Sequence, residues 1–274
     1  MESGAKWRGV LETIRRAATA SGREQTGYFS LEGTRLHERA WRADIPVAAA
    51  LLTRSYQQDP SARIQALLAG LVQSGCRLHI VSDDIIQTIT HGRGLGDIVG
   101  LVKIPPPADL AALLAAETVR PPLLLVGVEI ADPGNVGALV RTAHAIGAVA
   151  FAAVGSEGRS DPFHPKAVRT AMGSLFKLPI ACFASLPPLQ QLLRAQQIQM
   201  VGTAAQGGVL LPQATFASSG AAIFMGNEYW GLADAAALDL CVTIPICSGV
   251  DSLSVNAAAA ILLYEARRRL WPIP

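Results

Sequence analysis

The sequence is poor in charge and in aromatic residues. Only 16% of its 274 residues are charged and 5% are aromatic, whereas half are hydrophobic. This composition excludes a disordered chain, and the length allows one or two domains with buried cores. The net charge of +2 neither requires nor excludes a nucleic-acid partner, so any phosphate-binding surface must be a local patch.

Cysteine is also scarce, and Cys76, Cys182, Cys241 and Cys247 show no CxxC spacing. They are interpreted as buried thiols in a reducing compartment. No His/Cys spacing predicts a metal site. No apolar run approaches the roughly 20 residues that span a bilayer, and the charged N-terminus lacks the apolar core of a signal peptide. We therefore expect a cytoplasmic protein without a metal.

Short apolar segments alternate with helical patterns, which predicts an α/β fold. Helices are predicted over 5–20, 34–43, 61–74 and 83–90, and strands over 48–53, 77–81 and 97–102. Prolines at 105–107 and 121–122 indicate a linker. The predicted organisation is an N-terminal helix (1–24), a small α/β domain (25–104), a linker (105–122) and a larger C-terminal domain (123–274).

The C-terminal domain has longer, continuously apolar strands, which are typical of a parallel sheet covered on both faces. The predicted strands are 123–128, 148–154, 177–183, 198–204, 221–225 and 241–246, and the predicted helices are 134–146, 164–175, 188–197 and 252–269.

Three polar clusters follow the ends of these strands. They are Asp132–Asn135 with Arg141, Gly226-Asn227-Glu228, and the segment 247–252. Ligands of open parallel sheets bind beyond the carboxyl ends of the strands. The three clusters therefore predict one composite site.

Individual residues of the clusters suit particular roles. Asn135 suits a helix cap, and Arg141 lies among apolar residues, where it faces an anion or forms a surface salt bridge. Gly226 allows a ligand to approach the backbone. Ser252 can cap the last helix. Tyr229-Trp230 could stack on a flat ring, although packing is favoured.

Two enzyme classes are disfavoured by missing motifs. No G-x-G-x-x-G follows the first strand of the C-terminal domain, which argues against a Rossmann dehydrogenase. No serine stands in a G-x-S-x-G turn, which argues against a serine hydrolase.

The three clusters, in this order, resemble the SpoU branch of the SPOUT RNA 2′-O-ribose methyltransferases. The matching segments are 132–143, 224–228 with Gly231-Leu232, and 244–253 continuing to 264–266, and 161–169 and 172–174 also look like this branch. The resemblance covers about residues 120–270. More weakly, residues 25–104 resemble the RNA-binding domain with the fold of ribosomal protein L30e that many members carry.

The resemblance implies a deep C-terminal trefoil knot, an S-adenosylmethionine site in the knot and a homodimer. The implied cofactor-binding residues are Gly226, Asn227, Ile244, Ile246 and Leu253. The implied catalytic residues are Asn135, Arg141, Glu228, Ser252 and Ser254. The expected RNA-binding residues are Arg141, Arg169, Lys166 and Arg35.

The implied reaction is attack of a ribose 2′-hydroxyl on the sulfonium methyl group. Positioning supplies much of the rate of such an in-line displacement, and the hydroxyl must lose its proton. Our hypothesis is that Arg141 holds the substrate phosphate or ribose and assists deprotonation, while Asn135, Glu228 and Ser252 orient it and the sugar.

One segment departs from the family pattern, which usually reads Ser-Leu-Asn-Val-Ser. This chain has Ser252-Leu253-Ser254-Val255-Asn256, and Asn256 is expected to point elsewhere. The predicted substrate is structured RNA, with ribosomal RNA (23S) favoured and transfer RNA as the alternative. An RNA-binding homologue without catalytic activity is the alternative from another class.

Overall fold

The computed structural model describes residues 6–116, 120–156, 158–227, 231–232 and 238–271. The chain forms two compact units, residues 1–106 with 163–176 and residues 107–162 with 177–274. Each unit contains its own β-sheet. Within the described residues, no helix is long and apolar enough to cross a membrane.

The N-terminal unit is built on a four-stranded mixed sheet. Its elements are α1 (Lys6–Ala17), α2 (Ala20–Thr26), β1 (Tyr28–Glu32), α3 (Thr34–Arg42), β2 (Val47–Thr53), α4 (Arg54–Gln57), α5 (Ala62–Gln73), β3 (Arg77–Val81), α6 (Asp83–Thr90), β4 (Ile98–Lys103) and, later in the chain, α9 (Pro165–Ala171). The strand order is β1-β4-β2-β3. Strands β2 and β3 are parallel, and β4 is antiparallel to both β1 and β2.

Three details of the sequence prediction differ in this unit. The helix predicted over 5–20 is two helices, because the Thr19 hydroxyl caps α2 by accepting a hydrogen bond from the Gly22 N–H at 3.1 Å. The pattern does not predict β1, because Ser30 and Glu32 interrupt its apolar residues although both are buried. Helix α9 ends earlier than 175, because Met172 adopts a left-handed φ of 50°.

The C-terminal unit contains the predicted parallel sheet. Its elements are α7 (Leu110–Ala116), β5 (Leu123–Val128), α8 (Pro133–Ile146), β6 (Ala150–Val154), β7 (Ile180–Phe183), α10 (Leu186–Ala195), β8 (Gln199–Thr203), β9 (Val209–Leu210), β10 (Ala221–Met225), β11 (Leu240–Thr243) and α11 (Val255–Leu270). The strand order is β7-β6-β5-β10-β8-β11-β9, and every neighbouring pair is parallel.

Both faces of this sheet are covered, which explains its continuously apolar strands. Leu124 and Val126 of β5 pack in one cluster with residues of α7 and α10. Leu123 and Leu125 point to the opposite face and are also fully buried. Helices α8 and α11 contact each other and β5, so they cover that second face.

The last predicted strand and helix have different bounds. Strand β11 ends at Thr243 rather than at 246, because Pro245 has no N–H to donate to the sheet. Ile244 and Ile246 therefore lie in a loop. Helix α11 begins at Val255 rather than at 252, because Ser254 is its N-cap.

The cysteine prediction is only partly right. All four thiols are free and Cys76 is buried, but Cys182 and Cys247 are exposed. Cys182 is exposed because β7 is an edge strand. Burial raises the pKa of the Cys76 thiol to about 11, so that thiol is unreactive.

Candidate functional site

A pocket of about 370 Å³ lies in the C-terminal unit, where the ends of several strands meet the first turns of two helices. It is bounded by the residues that follow β8, β10 and β11 and by the first residues of α8 and α11. This is the edge at which parallel α/β sheets bind ligands, and the volume lies within the usual range of about 300–1,000 Å³ for small-molecule sites.

The pocket brings together eight of the residues predicted for the site. Its lining includes Asn135, Gly226, Asn227, Ile244, Ile246, Ser252, Leu253 and Ser254. Glu228, which was expected beside them, lies outside the described residues, as do Tyr229 and Trp230.

Main-chain hydrogen bonds join Asn227, which follows β10, to Gly231, and both residues line the pocket. The N–H and C=O of Asn227 pair with the C=O and N–H of Gly231, at 3.0 and 2.9 Å. The Asn227 side chain donates from Nδ2 to the Glu129 main-chain oxygen at 2.8 Å. A Cβ on Gly226 would lie 2.3 Å from the Gly231 oxygen, so this close approach requires glycine.

The start of α8 places Asn135 in the pocket, but not as a cap. The cap is Asp132, whose carboxylate accepts a hydrogen bond from the Gly134 N–H at 2.7 Å. The prediction that Asn135 caps the helix is therefore wrong. Asn135 is the third residue of α8 and lines the pocket.

The start of α11 differs from the sequence prediction in two ways. Ser254, not Ser252, caps the helix, since its Oγ accepts a hydrogen bond from the Ala257 N–H at 3.3 Å. Asn256 does not point elsewhere, because its Nδ2 donates to Oδ1 of Asn135 at 2.7 Å. The sequence prediction is therefore wrong both about the cap, which is Ser254, and about the direction of the Asn256 side chain.

The pocket wall is largely aliphatic. Among its described lining residues no side chain is charged, and Val242, Ile244, Ile246 and Leu253 supply apolar surface. The polar groups of the lining are side-chain amides, hydroxyls and main-chain groups. Such a wall suits a flat, uncharged ring bound through its faces and through backbone hydrogen bonds at its edge.

Several lining residues are missing from the sequence prediction. Thr203, Ala204 and Ala205 follow β8 and line the pocket together with Met225 and Ala258. Strand β8 also ends at the ligand-binding edge, so the rule that predicts the other clusters could have found the first three. Their small, weakly polar side chains give no distinctive chemical signal.

Arg141 lies on α8 with Asn135, but it is not among the described residues that line the pocket. Its side chain is exposed. Arg141 is six residues from the pocket residue Asn135 in the sequence. Because its guanidinium is exposed, it is available to a large anionic substrate.

The other predicted RNA-binding residues lie in the N-terminal unit. Arg169 of α9 and Arg93 each contact the buried Glu32 carboxylate at 2.8 Å. Burial lowers the pKa of Arg169, and the neighbouring Glu32 opposes this effect. Lys166 and Arg35 are exposed.

A cavity of about 370 Å³ adjoins this ion cluster. Its lining contains more cationic than anionic side chains, with Arg15, Arg93, Lys166 and Arg169 against Glu32. Within the described ranges, no group of three or more His, Cys, Asp or Glu side chains could hold a metal ion. The charge of this surface therefore favours an anionic ligand.

The fold and the pocket define an α/β protein that binds a small molecule at the carboxyl edge of a parallel sheet. The sequence profile of the SpoU rRNA Methylase family matches residues 122–264, which include this sheet and all the described pocket residues. The chain belongs to the SpoU rRNA methylase family.

Relatives and solved structures extend the similarity to both units. The 23S rRNA (guanosine(2553)-2′-O)-methyltransferase RlmP of Bacillus subtilis is 32% identical over 91% of this chain and 92% of that protein. The uncharacterized tRNA/rRNA methyltransferase slr1673 of Synechocystis sp. is 31% identical over 96% and 92%. The SpoU methyltransferase AviRb from Streptomyces viridochromogenes, solved in complex with the cofactor AdoMet, is 26% identical, with a TM-score of 0.82 over 94% and 97%.

Proposed function

We propose that this chain is an S-adenosylmethionine-dependent 2′-O-ribose methyltransferase that acts on ribosomal RNA. The observation that carries the proposal is the pocket, which is lined by the predicted cofactor-binding residues and by three of the five predicted catalytic residues, Asn135, Ser252 and Ser254. The name of the B. subtilis relative supports the substrate and the type of reaction. The complex of AviRb with AdoMet supports the cofactor.

The pocket residues fit S-adenosylmethionine. The Gly226 position leaves no room for a side chain and presents backbone. Ile244, Ile246 and Leu253 supply an apolar wall for the adenine ring, and Asn227 is held in place by its bond to the Glu129 main chain. When bound, S-adenosylmethionine supplies an electrophilic methyl group on a sulfonium cation.

The chain's own residues must bind the RNA ribose and assist the transfer of its 2′-hydroxyl proton to solvent water as the oxygen attacks the methyl group. In the proposed arrangement Asn135 and Ser252 hydrogen-bond the sugar, and Ser254 fixes the start of α11. Glu228 and Arg141 complete the centre, with the Arg141 guanidinium neutralising the phosphate beside the reacting ribose. A fixed cation of this kind stabilises developing negative charge.

We further propose that the N-terminal unit, around its L30e-like residues 25–104, contacts the RNA through Arg35, Lys166 and Arg169. Arg35 and Lys166 are exposed, and Arg169 belongs to the predominantly cationic cavity. Replacing Lys166 and Arg35 by Gln should weaken RNA binding about tenfold and reduce the slope of log K against log salt by about 0.7–0.9 for each lost phosphate contact.

Filter binding across a salt series measures this effect. Arg54→Gln, which removes an exposed charge from α4, is the matched control. An unchanged salt slope in the double variant would show that these side chains do not contact phosphates.

A homodimer and a knotted C-terminal unit are also part of the proposal. A groove on the outer side of α11 exposes Ile261 and Tyr264, which are 41% and 53% accessible, beside Leu211 and Pro245. Apolar surface of this kind suits burial against a second copy. Sedimentation equilibrium at micromolar concentration should give the mass of a dimer, and the mass of a monomer would contradict the proposed homodimer.

The proposed location of the protein is the cytoplasm.

The reaction is tested with purified protein, S-adenosylmethionine and unmodified transcripts of 23S rRNA and transfer RNA. Calorimetry measures cofactor binding, and mass spectrometry of nucleosides detects ribose methylation. We expect cofactor binding and a methylated ribose in the ribosomal transcript. Methylation of transfer RNA alone would contradict ribosomal RNA as the substrate and favour transfer RNA. Binding of RNA without binding of the cofactor would instead indicate a noncatalytic homologue.

A further inference from the structure

Asn256 contacts the pocket indirectly. Its Nδ2 donates a hydrogen bond of 2.7 Å to Oδ1 of Asn135, which joins the first turn of α11 to the first turn of α8. Asn135 lines the pocket, whereas Asn256 is not among the described lining residues. Any influence of Asn256 on a bound molecule therefore passes through Asn135.

The direction of this hydrogen bond matters because an amide has two different ends. A side-chain amide offers an acceptor oxygen at one end and two N–H donors at the other. A donor on the Asn135 oxygen fixes that oxygen toward α11 and sets the plane of its amide. Asn256 therefore helps to set which end of the Asn135 amide faces the pocket.

The remaining oxygen of Asn256 argues against a purely structural role. That Oδ1 is buried and has no hydrogen-bond partner among the described residues. Burying an unpaired acceptor is unfavourable, and a smaller residue such as alanine would avoid the penalty. The helix itself does not need the amide, because Ser254 already caps α11.

We propose that Asn256 is a positioning residue, which holds the Asn135 amide in the orientation that methyl transfer uses. This inference rests on the proposed function. The family pattern has Asn at position 254 and Ser at position 256, and this chain has the two residues in the opposite order. Here Ser254 caps α11 and Asn256 supplies the amide contact to α8, so this order of residues is compatible with an active enzyme.

A double-mutant cycle tests the inference. Asn256→Ala should lower kcat on RNA about tenfold and leave the calorimetric Kd for S-adenosylmethionine within about twofold. Asn135→Ala should lower kcat further, and the double variant should be no slower than Asn135→Ala alone. A structural role would instead lower kcat in the double variant by the product of the two single effects, which would overturn the inference.

A second measurement does not depend on activity. In ¹⁵N spectra of the protein without RNA, the side-chain amide signals of Asn135 should shift in Asn256→Ala and stay in place in Gln191→Ala, which removes an exposed amide on α10. If Asn256→Ala does not fold, Asn256→Ser takes its place. Unshifted Asn135 signals would overturn the inference, whereas a wild-type protein that transfers no methyl group would overturn the proposed function itself.

Discussion

Arg141→Ala should lower the rate of methyl transfer about 10²–10³-fold while the Kd for S-adenosylmethionine changes less than about twofold. The side chain is exposed on α8 and is not among the described residues of the pocket lining, so its removal leaves the cofactor wall intact. The lost interaction is the one with the RNA phosphate or ribose. Single-turnover methylation under saturating cofactor measures the chemical step, and calorimetry measures cofactor binding.

Two further variants separate this role from a general loss of charge. Arg194→Ala removes an exposed arginine from α10 in the same unit and should turn over normally. Arg141→Lys keeps the charge and loses the planar fork, so its rate should fall between wild type and Arg141→Ala. Normal turnover by Arg141→Ala would remove Arg141 from the catalytic centre.

Gly226→Ala should weaken S-adenosylmethionine binding at least about a hundredfold. The added Cβ would lie 2.3 Å from the Gly231 oxygen, 2.4 Å from its carbonyl carbon and 2.7 Å from the Leu232 nitrogen. All three atoms are main chain, so the main chain of Gly226 or of Gly231-Leu232 must move, and contacts at such distances are not relieved by a side-chain rotation. Isothermal titration measures the loss.

The control for this variant is Gly9→Ala in α1. No heavy atom lies within 4 Å of a Cβ at Gly9, and alanine favours a helix, so cofactor binding should be unchanged. Circular dichroism of both variants checks that the helices remain. A Gly226→Ala protein that binds S-adenosylmethionine with the wild-type Kd would show that Gly226 is not part of the cofactor site.

The parallel sheet and the pocket edge follow directly from the sequence. Strands such as 123–128 and 221–225 are apolar throughout because helices cover both faces, and this pattern differs from the alternation of a half-exposed sheet. Polar residues that follow such strands must gather at one edge. This geometric rule predicts that Asn135, Asn227 and Ser252 lie together without any knowledge of the connections between strands. Ile244 and Leu253, in contrast, are predicted only from the family resemblance.

The contact between Asn256 and Asn135 could not be predicted in this way. Periodicity along α11 gives the direction of Asn256 relative to its own helix, but the position of α8 depends on how both helices pack on the sheet. The wrong cap at Ser252 has a similar cause, because Ser252 and Ser254 both suit a helix start. The sequence alone does not distinguish between them.

The assignment of residues 163–176 to the N-terminal unit limits how the protein can be divided for study. Phe163 packs on Phe29 with ring centroids 5.3 Å apart, and Arg169 is paired with Glu32. A fragment that starts at residue 107 would retain Phe163 and Arg169 and lose both partners. Such a fragment would expose an aromatic ring to solvent and leave a guanidinium without its carboxylate partner. Poor solubility of the fragment would then result from the choice of boundary, and it would not show that the parallel sheet is unstable.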